Sequence, residues 1–171
     1  THTNNTGWYT WTSTLENAAA VAAKNPDKVI SLLNSLSNIE GAAINLRGAL
    51  FELIIGHLVY KGEGTSIDIG VKVRNTKGER AEIDVRRVKG EHELAIYECK
   101  GYQPTTMIDV YEVEKWFTKK IPIIRSALRD EDRFRDIKMT FEYWTSGNFT
   151  DEAINYFNKK RSEIRKFNIN W

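Results

Sequence analysis

The chain has 171 residues, 41% of them hydrophobic and 28% charged, with a formal net charge of +2. That composition supports one packed domain over residues 1–171 and excludes a chain disordered by composition. It also excludes a helical membrane protein, because the apolar stretch Ala49–Tyr60 is broken by Glu52, Gly56 and His57 and is too short to span a bilayer.

The first thirteen residues are Thr- and Asn-rich, carry Trp8 and Trp11, and read as an arm. Thr14–Ala23 is an Ala-rich helical pattern; its apolar part lacks a basic flank, so it is not a signal peptide. Asn25, Pro26 and Asp27 then cap a helix to about Leu36, completing an N-terminal helical extension over 1–40. The opening Thr in place of Met leads us to expect a piece cut from a longer polypeptide. A long helix is predicted from Gly41 to Tyr60, closed by Gly62 and Gly64.

Alternation of apolar and polar residues predicts strands over Ser66–Arg74 and Ala81–Arg86, joined by a turn around Gly78. The LAIYECK run, Leu94–Lys100, is apolar almost to its end and reads as a central strand covered on both faces. A helix follows from Thr105 or Thr106, with Pro122 opening a further helical stretch to about Arg129. Ile137–Thr145 is a fourth strand, Asp151 and Glu152 open a helix to about Lys166, and Phe167–Trp171 adds a short strand. The class is α/β with a mixed sheet. Cys99, the one cysteine, excludes an internal disulfide and a cysteine-rich zinc site.

Asp84 lies mid-strand, and Glu98 and Lys100 sit two apart on the next strand, so those two share a face. Charges ending an apolar strand are costly to bury alone; a metal ion or a mutual pair offsets that cost. Two carboxylates and a lysine on rigid strands are a minimal site for phosphodiester hydrolysis. Carboxylates suit Mg²⁺ or another divalent cation such as Mn²⁺, and the lysine serves the attacking water. On the long helix, Asn45, Gly48, Glu52 and Gly56 fall on one narrow stripe at ~100° per residue. Glycines on either side of a carboxylate predict a close approach of backbone or substrate there.

The runs RGALFE, AEIDV and ECK, in that order and on those elements, resemble the PD-(D/E)xK, or restriction endonuclease-like, nuclease superfamily. The resemblance implies an α-β-β-β-α-β core over 41–145, with 146–171 supplying a C-terminal helix and short strand. It implies metal binding by Asp84 and Glu98 with the Cys99 carbonyl, a catalytic Lys100, and Glu52 as the helical acid that also reaches the metal. Ile83 stands where the motif's name has proline. The function implied is a Mg²⁺-dependent endonuclease acting on DNA, with RNA, including tRNA, as the alternative substrate. The size and non-Met start also resemble toxin domains of polymorphic or contact-dependent inhibition systems. These would act in the cytoplasm of a target cell and need a cognate immunity protein.

Tyr102, Gln103, Lys115 and Lys119 are candidates for substrate contact, with Lys120 beside them as a phosphate contact. Glu82 shares a strand face with Asp84 but reads first as solvated charge. His57 and His92 read as surface residues, and Cys99 points away from the motif. The basic run Lys159, Lys160, Arg161, Arg165 and Lys166 reads as a phosphate track or a solvated face. The rival functions are a non-catalytic nucleic-acid or protein-binding module that kept the fold, and an interaction domain for which Trp8 and Trp11 speak.

Overall fold

The computed structural model describes residues 42–160 and 164–168. The expected arm and the two helices before residue 40 lie outside them. Helix α1 (Ala42–Leu58) is followed by strands β1 (Thr65–Arg74), β2 (Arg80–Lys89) and β3 (Glu93–Lys100). A two-residue strand, β4 (Met107–Ile108), leads into α2 (Val110–Lys115), a π turn (Trp116–Lys120) and α3 (Ile121–Arg129). Then come β5 (Met139–Thr145), β6 (Asn148–Phe149), α4 (Asp151–Lys160) and β7 (Ile164–Asn168).

Five strands form one mixed sheet in the order β1-β2-β3-β5-β7. The β1–β2 and β2–β3 pairs are antiparallel, and β3–β5 and β5–β7 are parallel. The sheet is mixed and the class α/β, as expected, and from α1 to β5 its elements follow the α-β-β-β-α-β order given for 41–145, with β7 added at the edge. Successive residues of β3 face opposite sides. Leu94 and Ile96 join a cluster with Trp116, Ile124, Phe141 and Phe157. Ala95, Tyr97 and Cys99 pack with Phe51, Ile55 and Val59 from the α1 side. The central strand is thus covered on both faces, as its run of apolar residues predicts.

In β2 the simple alternation expected for Ala81, Ile83 and Val85 does not hold. Ile83 belongs to the cluster under α2–α4, whereas Val85, two residues on, belongs to the α1 cluster. The partner strand changes face at the same level, with Ile67 on the α1 side and Val71 and Val73 on the other. The cause is local. The β1–β2 register passes from Ile69↔Val85 to Val71↔Ile83, stepping over Gly70 and Asp84. Gly70 has φ 66° there, a left-handed conformation open to glycine at low cost. Both strands turn over at this point, and Asp84 lies at the turn.

Three other boundaries differ from expectation. Asp109, rather than Thr105 or Thr106, caps α2, its Oδ1 accepting the Glu112 N–H at 2.8 Å. The residues before it pair instead with β6, in the register Met107↔Asn148. The last strand runs over Ile164–Asn168 rather than Phe167–Trp171, and α4 ends at Lys160.

Candidate active site

The strand fork puts Asp84, Glu98 and Lys100 together. The β2–β3 pairing runs from Lys89↔Glu93 to Val85↔Tyr97 and stops one residue short of Asp84. In place of a backbone acceptor, the Cys99 N–H donates to Asp84 Oδ2 at 2.8 Å. The carboxylate thus stands in for a strand neighbour, and its other oxygen faces Lys120.

On β3, Glu98 is buried, at 4% exposure. Its Oε1 lies 3.0 Å from Lys100 Nζ, and its Oε2 lies 2.6 Å from Lys120 Nζ. Lys120 also reaches Asp84 Oδ1 at 3.4 Å. Mutual pairing therefore accompanies the burial of these charges, as the apolar strand end requires. Burial, the largest single influence, opposes the charge on Lys100, but Glu98 beside it and then Asp84 and Tyr102 together outweigh it, and the net effect raises its pKa. Lys120 is shifted in the same direction, with Glu98 and then Asp84 overcoming burial. Asp84 is raised, first by burial and then by the like charge of Glu98.

Glu52 comes to the site from α1. Burial, and after it the charges of Asp84 and Glu82, push its carboxyl up to about 7. The expected close approach around it is one-sided. A Cβ on Gly56 would meet Ile67 Cγ2 at 3.1 Å, whereas one on Gly48 would meet nothing within 4 Å. The helix is seated at its N-terminal half by Arg47, whose buried Nε donates to the Gly101 carbonyl at 2.7 Å. Gly101 is needed there, since a Cβ would lie 2.8 Å from Phe51 Cβ.

The other end of the motif is clamped by β5. The Lys100 carbonyl accepts from the Thr145 hydroxyl at 2.9 Å and from the Ser146 N–H at 3.2 Å. Ser146 Oγ donates to the Tyr102 carbonyl at 2.6 Å. Beside the carboxylates, a pocket of about 550 Å³ is lined by Arg80, Glu82, Glu98, Lys100, Tyr102, Glu112, Lys115, Trp116, Lys119, Lys120 and Tyr143, among others. The Tyr102 and Tyr143 hydroxyls both donate to Glu112 Oε1, at 3.0 and 3.4 Å.

Of the candidates for substrate contact, Tyr102, Lys115 and Lys119 line this pocket and Gln103 does not. Glu82, read first as solvated charge, also lines it. His57 and His92 are exposed. Cys99 belongs to the α1-side cluster, and burial pushes its thiol well up. Lys160 and Lys166 lie over the Phe117 and Phe149 rings, at 4.7 and 5.9 Å. Arg161 lies outside the described residues.

Lys120 is the site residue that helical periodicity does not reveal as a partner of the carboxylates. It closes the π turn, in which the Ile121 N–H bonds to the Trp116 carbonyl. One extra residue in that turn lets Trp116 and Ile121 both stay buried, while Lys120 between them enters the site. Such turns recur at functional sites. The sequence signal for it is Pro122, which lacks an N–H and so weakens a regular helix immediately after the two lysines.

No protein-family model matches this chain, and no curated protein matches it. Among solved structures, it is similar to AF1548, a protein of unknown function, at 14% identity and a TM-score of 0.50, over 73% of this chain and 58% of that one. What they share is the fold. The chain is also similar to the MspJI restriction endonuclease in complex with a 27-mer oligonucleotide. That match has 13% identity and a TM-score of 0.32, over 91% of this chain and 28% of that one. The chain spans only part of the length of both neighbours. Among its described residues, no helix is long and apolar enough to cross a membrane.

Proposed function

We propose that the chain is a divalent-cation-dependent endonuclease that hydrolyses phosphodiester bonds, with DNA as substrate and RNA, including tRNA, as the alternative. The observation that carries this reading is the strand fork, where Asp84, Glu98, Lys100 and Lys120 meet beside a pocket flanked by further cations.

Asp84 and Glu98 are the residues that would hold the cation, with the Cys99 carbonyl and Glu52 as further oxygen donors. Among the described residues, no three His, Cys, Asp or Glu side chains form a ready cage. An oxygen-only set of two carboxylates nonetheless fits Mg²⁺, which keeps several waters and takes the rest of its shell from substrate phosphate. When bound, the cation would neutralise phosphoryl charge and lower the pKa of water.

The protein's own groups divide the remaining work. Lys100, its pKa raised, is an ammonium at neutral pH. Its ammonium would donate hydrogen bonds to the attacking water and to the phosphoryl oxygens. Glu52 is held at about 7 in the cation-free protein by burial and neighbouring carboxylates; a bound cation would favour its charged form, which suits its place as a further oxygen donor. Lys115, Lys119 and Arg80 on the pocket wall meet the flanking phosphates. The antibacterial toxin role, with its immunity protein, is part of the same proposal.

The test incubates the protein with plasmid DNA, single-stranded DNA and total RNA, in Mg²⁺ or in EDTA. Cutting of one class in Mg²⁺ alone, lost in Asp84→Ala, supports the reading. Cutting in EDTA, or full activity in Asp84→Ala, refutes it. Growth arrest on expression, relieved by Asp84→Ala, supports the toxin role.

A further inference from the structure

We infer that Lys120 is an internal counter-cation of this site: its ammonium holds the place between Glu98 and Asp84 that a divalent cation takes, and the cation displaces it into the pocket, towards the substrate phosphate. The inference rests on the reading of Asp84 and Glu98 as cation ligands.

The oxygen count leads to it. Asp84 Oδ2 is engaged by the Cys99 N–H, and Glu98 Oε1 by Lys100. The oxygens left are Asp84 Oδ1 and Glu98 Oε2, and one ammonium serves both, at 3.4 and 2.6 Å. A cation bound by one oxygen from each carboxylate needs the same pair. An ammonium and a divalent cation cannot share those oxygens, because like charges at such range in a partly buried site repel strongly.

Displacement has somewhere to go. Lysine carries its charge on a flexible four-carbon stem, and Lys120 already lines the pocket beside Lys119 and Lys115. The π turn matters here, because it brings the Lys120 backbone to the site's rim while the neighbouring Ile121 stays in the core. One residue thus does two jobs in sequence. It neutralises two carboxylates before the cation arrives and delivers positive charge to the phosphate side afterwards. Lys100 differs in that its ion pair is with the other oxygen of Glu98, which leaves the Oδ1–Oε2 pair to Lys120.

Two measurements that do not depend on catalysis test this. The first is calorimetric titration of Mn²⁺ into the wild type, Lys120→Met and Lys119→Met, all without nucleic acid. Lys120→Met keeps the stem and removes the competitor. It should bind Mn²⁺ about tenfold more tightly, the scale of a close charge pair, while Lys119→Met stays near wild type. The second uses the unaltered chain: reductive methylation with formaldehyde, read by peptide mass spectrometry in EDTA and in Mn²⁺. Labelling of Lys120 should rise several-fold with Mn²⁺ while that of Lys115 does not change. Unchanged or weaker Mn²⁺ binding by Lys120→Met overturns the inference and leaves the nuclease reading standing, as does Lys120 labelling indifferent to bound Mn²⁺. If neither wild type nor Lys120→Met binds Mn²⁺, the ligand assignment of Asp84 and Glu98 falls, and this inference with it.

Discussion

Replacing Glu52 by Gln removes a charge from α1 while leaving the shape of the side chain nearly unchanged. In the folded, cation-free protein its carboxyl is pushed from 4.5 up to about 7 by burial and by Asp84 and Glu82. A shift of roughly 2.5 units corresponds to about 3.4 kcal/mol. Glu52 is only partly buried, however, so solvent screening reduces this to about 1–2 kcal/mol. The sign follows from proton binding. Between pH 4.5 and 7 the native state holds more protons than the unfolded one, so stability falls as pH rises through that window. The cost is absent below the unfolded value and fully present above the folded one. Glu52→Gln should therefore melt higher than wild type at alkaline pH, by roughly 2–8 °C for a domain of this size. The advantage should shrink towards zero on acidification below 4.5. Thermal unfolding followed by circular dichroism in EDTA, at a series of pH values, measures it. A difference independent of pH, or a variant that loses stability as pH rises, refutes the account of Glu52 as a charge held against its preference.

Lys100→Ala should lower cutting by about two to three orders of magnitude while far-ultraviolet circular dichroism stays native, because it removes a preorganised donor rather than a packing element. Gly101→Ala sets a Cβ 2.8 Å from Phe51 Cβ and 3.1 Å from the Arg47 carbonyl. It should cost about 1–3 kcal/mol in urea unfolding, and an unchanged midpoint would show that α1 is not seated there. Arg86 is buried, bonds Asp68 Oδ2 at 3.1 Å and lies over the Phe134 ring at 5.4 Å. Its replacement by Ala should cost about 1–3 kcal/mol. Asp68→Asn, at the exposed end of the pair, should cost under ~1 kcal/mol; equal losses would overturn that ranking.

What was legible in the sequence was whatever depends on local pattern. β3 was visible as an apolar run, and the same-face spacing of Glu98 and Lys100 correctly placed both beside each other. Long-range pairing decided the boundaries that were misplaced. Thr105 and Thr106 have the chemistry of helix caps, yet the Asn148 N–H takes the Thr106 carbonyl at 2.8 Å and draws the next residues into a strand. The face change in β2 is hidden because Ile83 and Val85 are both apolar, and an apolar residue suits either core. Gly70 is the trace it leaves, and glycine alone does not distinguish a turn-over from a weak strand. The pairing of Lys120, read from the sequence as a phosphate contact, with the two carboxylates is hidden for a related reason. A π turn shifts every later residue by one, and periodicity read at a constant angle places the lysine with its surface neighbours.

The turn-over at Gly70 and Asp84 also makes one peptide the seam between two separately packed interiors. Ile83 is anchored in one and Val85 in the other, so a repacking on either side twists the backbone that carries Asp84. Substitutions at these two positions, on opposite faces and out of contact with any substrate, should be non-additive in their effect on the same carboxylate. A chain damaged beneath α1 should accordingly be rescued by second-site changes beneath α3, on the far side of the sheet.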